Sequence, residues 1–163
     1  MPATFSFAPK NALDALLPQL FSILRTNMTA IAPTGDSYEE DLALWKAYIL
    51  PALGDKDRQL VLLHWEGQLA GYFQYAVHGD TLMMEEIQIK PEYQGTGLFR
   101  SLYQWLAKEL PAGLARAEAY AHKSNQKSQA ILEHLGLRKA GENPSGSSWR
   151  YQGDCQAMWK VLL

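Results

Sequence analysis

The sequence predicts an α/β chain of the α+β type, in which a mixed, mostly antiparallel central sheet is flanked by helices. Three observations lead there. Strand-like stretches at residues 60–65, 68–78 and 81–89 follow one another with only Glu66-Gly67 and Gly79-Asp80 between them, and links of two residues join antiparallel neighbours. Apolar residues at helical spacing precede and follow this meander. The third strand pattern then runs through Gln94-Gly95-Thr96-Gly97 directly into a helix pattern, the passage expected where helices cover a sheet.

Residues 4–8 form a first strand pattern. Asn11, with Asp14 three residues later, is placed to cap a helix carrying Leu13, Leu16, Leu17, Leu20, Phe21 and Leu24 on one face. Pro18 bends this helix or marks its true start, since it lacks an N–H and crowds the preceding turn. Residues 29–36, with Pro33 and Gly35, read as a loop. Ser37-Tyr-Glu-Glu40 is a capping box that opens a second helix. That helix sets Leu42, Trp45, Tyr48 and Ile49 together and stops near Pro51 and Gly54. Beyond the glycine turn, Leu98, Leu102, Trp105, Leu106 and Leu110 recur at helical spacing. Residues 116–121 alternate as a strand, and residues 125–135 form a further helix closed by Gly136. The tail predicts two more strands, at residues 137–141 and 156–162.

With 163 residues and 47% hydrophobic content, the chain has the material for a single domain, residues 1–163, with its own core. A net charge of −2 with Lys and Glu interspersed leaves no basic stripe, which argues against nucleic acid as a partner. The N-terminal stretch has neither a charged start nor an apolar run long enough for export, and no later stretch reaches the length of a membrane span. A cytoplasmic location without a membrane partner is therefore expected. The single Cys155 has no internal disulfide partner, which suits a reducing compartment, and its place in the late strand pattern assigns it to packing. His64, His78 and His134 lack metal-ligand spacing, so no metal is expected.

The glycine passage carries most of the functional information. Gly95 and Gly97 can adopt backbone angles closed to other residues, so main-chain N–H groups can converge at the start of a helix. The unsatisfied donors and partial positive charge there favour a phosphate. A P-loop is excluded, because Leu98, Phe99 and Arg100 follow Gly97 in place of Lys and Ser or Thr. The dinucleotide fingerprint fits poorly: its third glycine would fall at Arg100, although Glu118 stands where its ribose-binding acid is expected. What remains is Gln/Arg-x-x-Gly-x-Gly/Ala, matched by Gln94, Gly95, Thr96, Gly97, Leu98 and Phe99 except at the last place. A second block follows, after room for a helix, a strand and a turn. Asn125, Ser128, Leu132, Gly136 and Leu137 occupy the frame of an Asn, a small residue, an aromatic and a closing Gly-Phe, with Leu132 and Leu137 departing in type.

On these two blocks, over roughly residues 60–137, the chain resembles the GCN5-related N-acetyltransferase superfamily. The resemblance implies that family's fold, acetyl-CoA as co-substrate, and direct attack of a primary amine on the thioester in a ternary complex. The acceptor would be a small molecule or a peptide. The resemblance further implies that the N–H groups of Gln94, Gly95, Thr96, Gly97, Leu98 and Phe99 hold the pyrophosphate. Main-chain groups of Ile87, Gln88 and Ile89 would pair with the pantetheine arm, one N–H polarising the thioester carbonyl, and Asn125 and Ser128 would also contact the arm.

The family's general base is often a carboxylate on the strand before the loop, which makes Glu86 and Glu85 the catalytic candidates. Alternation puts them on opposite faces, and Glu86 is favoured because it shares a face with Gln88. The family's general acid, a Tyr, falls at Leu132 and is not carried over. Tyr120, on a strand face with Glu118 and His122, is either its substitute or a half-buried strand aromatic. An acceptor pocket built from the first helical hairpin and the last strands would draw on Tyr38, Trp45, Tyr48, Trp149 and Tyr151. Many relatives pair through sheet edges, so a homodimer is expected by analogy. The departures at Leu132 and Phe99 keep a second reading open, a non-catalytic acyl-CoA-binding sensor or regulatory module of the same fold.

Overall fold

The computed structural model describes residues 2–31 and 33–163. Its elements run β1 (Ala3–Phe7), α1 (Leu13–Thr29), α2 (Tyr38–Leu53), β2 (Arg58–Trp65), β3 (Gln68–His78), β4 (Thr81–Ile89), α3 (Leu98–Glu109), β5 (Arg116–His122), α4 (Gln126–His134), β6 (Arg138–Glu142), β7 (Ser148–Asp154) and α5 (Cys155–Leu162). The strands form one sheet in the order β1-β2-β3-β4-β5-β7-β6. β1 with β2, β5 with β7 and β6 with β7 are antiparallel, and β4 with β5 is parallel. Glu66 and Gly67 both take positive φ, 50° and 82°, as a two-residue hairpin turn requires, and Gly79 takes 61° in the second hairpin. The sheet is therefore mixed and mostly antiparallel, as expected, and helices flank it.

Two compact units make up the chain. One is formed by the chain up to Gln74 together with Glu86–Thr96, the other by Tyr75–Glu85 together with Gly97–Leu163. The units are interleaved in sequence, so β3 and β4 each contribute to both.

In the first unit, Leu13, Leu17 and Leu20 of α1 join Ile49 and Leu53 of α2, Leu60 and Leu62 of β2, and Tyr72 of β3 in one buried cluster. Each leucine and isoleucine side chain there contributes about 1.5–3 kcal/mol by leaving water. The leucine face of α1 is the predicted one, and Pro18 sits inside the helix. Asn11, expected as its cap, lies instead in a 3-10 turn at Lys10–Ala12, and α1 starts at Leu13 behind Ala12, without a capping side chain. The Ala12 N–H bonds the Pro9 carbonyl at 3.0 Å, so this tight turn takes over the entry that a cap would have made. The capping box of α2 is present: Ser37 accepts from the Glu40 N–H at 3.2 Å, and the Ser37 N–H donates to Glu40 Oε1 at 3.4 Å.

In the second unit, Leu98, Leu102 and Leu106 of α3, Ala117, Ala119 and Ala121 of β5, and Tyr151 of β7 are buried. The predicted last strand, residues 156–162, is the helix α5. Asp154 caps it by accepting from the Ala157 N–H at 2.9 Å, and Cys155, Met158 and Leu162 are its buried residues, at helical spacing. The final strand lies earlier, at Ser148–Asp154. Cys155 is thus the first residue of a helix rather than part of a strand, and it is buried. Tyr103 of α3 lies 4.8 Å from Phe99 and 6.1 Å from Trp159 between ring centroids, and its hydroxyl donates to Met84 Sδ at 3.3 Å.

One close approach sets the shape of the β3–β4 hairpin. The turn at Gly79-Asp80 sets His78 opposite Thr81, and that offset, carried along the ladder, would bring Lys90 opposite Leu69. The Lys90 N–H instead bonds the Ala70 carbonyl at 2.8 Å, so β4 holds one residue more than β3 over this stretch. That is a β-bulge. Beside it, a Cβ at Gly71 would lie 2.2 Å from the Gln88 carbonyl oxygen and 3.1 Å from Ile89 Cα. Gly71 is required by this contact and not by its backbone angles.

Gly71→Ala must therefore push β4 away. The expected loss is about 1–3 kcal/mol in urea unfolding, and an unchanged midpoint would refute the contact. Burial and, for Tyr72, the charge of Glu86 raise the pKa values of Tyr72 and Tyr103 above the ordinary tyrosine value. Their neutral forms are then favoured in the folded state, so their stabilisation is complete below about pH 10 and is lost as pH rises beyond it. Alkaline unfolding should coincide with tyrosinate absorbance, and Tyr72→Phe should reduce the loss of stability per pH unit above about pH 10.

Candidate active site

After β4 the chain makes a 3-10 turn at Pro91–Tyr93 and enters the glycine loop. Gly95 and Gly97 have φ of 79° and 86°, the left-handed region that favours glycine, and a Cβ on either would meet nothing within 4 Å. The glycines are there for conformation, leaving open space above the loop. Gly97 is the N-cap residue of α3 and supplies no capping side chain, so the helix start keeps its donors and its partial positive charge for an anion. The loop is braced from beneath. Thr96 Oγ1 donates to the Tyr93 carbonyl at 2.6 Å, and Gln94 Nε2 donates to the Ile89 carbonyl at 2.9 Å. Phe99, at the position where the motif asks for a small residue, turns its ring onto Tyr103.

The end of β4 is held by a side chain that the sequence analysis passed over. Asn27 of α1 donates through Nδ2 both to the Ile89 carbonyl at 3.0 Å and to Gln88 Oε1 at 2.9 Å, and Gln88 Nε2 in turn donates to Glu86 Oε1 at 2.5 Å. With Gln94 and Asn27 both on the Ile89 oxygen, its two lone pairs are taken. The Gln88 carbonyl is turned to β3, against Gly71. The Ile89 carbonyl is turned instead to Asn27 and Gln94. Tyr72 of β3 is 1% exposed, and among the described residues its hydroxyl is the one buried side-chain polar atom without a hydrogen-bond partner. Burial and the Glu86 charge push its pKa up, which places a neutral phenol within electrostatic reach of that carboxylate. Glu85 belongs to the other unit.

In the second unit, β5 buries its three alanines and turns Glu118, Tyr120 and His122 to the opposite face, as alternation predicts. Tyr120 is 45% exposed. Glu118 is engaged by Arg150 at 3.3 Å and by a short hydrogen bond from Gln152. His122 Nδ1 accepts from the Ser124 N–H at 3.1 Å, which leaves its proton on Nε2 when the ring is neutral. Asn125 caps α4 by accepting from the Ser128 N–H at 3.1 Å, while its Nδ2 donates to Ser128 Oγ at 2.9 Å. The two predicted cofactor residues of the second block are therefore bonded to each other at the start of α4.

The aromatic residues assigned to an acceptor pocket occupy different settings. Tyr38 and Trp45 each pack 5.4 Å from Phe21, and Tyr48 is 62% exposed on the outer face of α2. Trp149 is flanked by Lys123 and Lys139, 4.2 and 4.7 Å from its ring centroid. Tyr151 is fully buried, with its hydroxyl on Glu133 at 3.2 Å. Among the described residues no group of three or more His, Cys, Asp or Glu is arranged to hold a metal, and no helix is long and apolar enough to cross a membrane. Gly71 had a sequence signal, an isolated glycine inside a strand pattern, which marks a bulge or a close backbone approach. Asn27 had none.

Comparison with known proteins bears on this arrangement. Over 110 residues the chain is 28% identical to a thialysine N-epsilon-acetyltransferase of Sus scrofa, a match covering 66% of this chain and 62% of that protein's length. An acetyltransferase of Thermus thermophilus superposes with a TM-score of 0.72 at 18% identity, covering 94% of this chain and 97% of the other. The PaiA N-acetyltransferase of Thermoplasma acidophilum, solved with coenzyme A, superposes with a TM-score of 0.68 at 15% identity, covering 94% and 99%. The structural likenesses establish the fold. The model of the acetyltransferase (GNAT) family matches residues 17–137, which include most of α1, the β2–β4 meander, the glycine loop and the Asn125 block, and the chain belongs to that family.

Proposed function

We propose that the protein is a cytoplasmic, single-domain N-acetyltransferase that moves the acetyl group of acetyl-CoA to a primary amine of a small molecule or peptide, by direct attack in a ternary complex. The observation that carries this reading is the glycine loop, with two left-handed glycines leading into a helix whose N-cap offers no side chain. The N–H groups of Gln94 through Phe99 would hold the pyrophosphate, and those of Ile87 and Ile89 the pantetheine arm and the thioester carbonyl, where negative charge develops during attack. Acetyl-CoA supplies an acyl group activated as a thioester. Asn125 and Ser128 orient the arm.

Glu86 takes the proton of the attacking amine. Its hydrogen bond from Gln88 supports this, because it fixes one carboxylate oxygen and thereby the direction of the other. Tyr120, exposed on its strand, is the donor to the departing thiolate, and Glu85 is the reserve carboxylate on β4. The similarity to a thialysine N-epsilon-acetyltransferase supports an acceptor whose amine sits at the end of a flexible chain.

Calorimetric titration tests the first half of this reading. Wild-type protein is expected to bind acetyl-CoA and coenzyme A at micromolar concentration. Gly97→Asp, which places a carboxylate where the pyrophosphate lies, is expected to weaken both by about 100-fold or more. A folded wild-type protein that binds neither would end the proposal. For the second half, Glu86→Gln should lower kcat toward thialysine by about 100-fold or more and leave acetyl-CoA binding unchanged, since a general base acts on the acceptor proton. A kcat retained in Glu86→Gln with loss in Glu85→Gln would transfer the role to Glu85.

A further inference from the structure

We infer that Asn27 is a positioning residue for Glu86, acting through the side-chain amide of Gln88. The inference rests on the proposed role of Glu86, although the chain of bonds behind it does not. It starts from a group whose hydrogen-bonding sense is not in question, the Ile89 main-chain carbonyl, which can only accept. The atom of Asn27 that meets it at 3.0 Å must therefore be Nδ2. The same Nδ2 meets the Gln88 amide at 2.9 Å, so the atom of Gln88 turned to Asn27 must be its oxygen. This leaves Gln88 Nε2 directed at Glu86 Oε1, 2.5 Å away. Turning the Gln88 amide over would set N–H against N–H at Asn27 and oxygen against carboxylate at Glu86, two repulsive contacts in place of two bonds.

The consequence is a relay in which one main-chain carbonyl dictates the state of a carboxylate three residues earlier in β4. Asn27 converts an acceptor into a donor presented to Gln88, and Gln88 passes on a donor to Glu86. A residue at position 27 that accepted instead would reverse the whole series. Both hydrogens of Asn27 Nδ2 are used, so its amide cannot turn without breaking the bond to Ile89 as well. In this way α1 holds the rotamer of Glu86 through Gln88.

A double-mutant cycle tests the relay in the full-length protein. Asn27→Asp removes the donor and forces the Gln88 oxygen toward Glu86, so the urea midpoint should fall by about 0.5–1 M. Glu86→Gln should move the midpoint of the wild type little, because Gln at 86 still accepts from Gln88. In the Asn27→Asp background the same change should recover about half of the loss, because Gln at 86 can donate to the turned-over amide. Repeating the cycle in a Gln88→Met background should abolish this coupling. Additive effects, or coupling that persists without Gln88 and so reflects plain repulsion between charges, would overturn the inference.

Turnover supplies the second readout. Asn27→Asp and Gln88→Met should each lower kcat toward thialysine about tenfold or more, with KM for acetyl-CoA held within about threefold. An active wild type whose kcat survives Asn27→Asp would also overturn the inference. A wild type that acetylates no amine would instead end the enzymatic reading, and the unfolding cycle would still decide whether the relay exists.

Discussion

The approach of β4 to β3 at Gly71 is the constraint on which the chemistry of the first unit depends. With no side chain at residue 71, the Gln88 carbonyl can come within a distance that any Cβ would forbid. The bulge places one additional residue in β4 before this point, so the strand passes its last residues at an offset that the hairpin turn alone would not give. From that position follow the reach of Asn27 to the Ile89 carbonyl and the line from Gln88 to Glu86. The Ile89 carbonyl, with a donor from α1 and another from Gln94, ties the helix, the strand and the start of the glycine loop into one set of bonds.

Much of this was legible in the sequence because its signals are local. The meander could be read from its two-residue turns, the start of α2 from Ser37 and Glu40, and the helix after Gly97 from its leucines. The glycine loop could be read from Gly95 and Gly97 and from the helix pattern that follows them. Where reading failed, a competing local pattern had obscured the signal. Residues 156–162 contain Trp159 and Val161, which suit a strand, but Asp154 as a cap and the spacing of Cys155, Met158 and Leu162 specify a helix. Asn11 had the right type for a cap, but the chain leaving Pro9 tightened into a 3-10 turn first.

Asn27 was illegible for a different reason. Its two partners are 61 and 62 residues away in the chain, and nothing about an asparagine late in an amphipathic helix announces a bond to a strand end. The same holds for Tyr72, whose place in β3 is evident from the pattern, although the isolation of its hydroxyl is not. Local propensity fixes elements, whereas pairings between distant polar groups depend on the bulge and the close approach that only the assembled strands reveal.

The lone hydroxyl of Tyr72 means that the first unit is not at its thermodynamic optimum. A phenolic oxygen removed from water without a partner costs about 1–3 kcal/mol, which a phenylalanine of the same shape would not incur. In the middle of an otherwise apolar cluster, residue 72 thus sets a polar atom within electrostatic reach of Glu86 at a cost to the core.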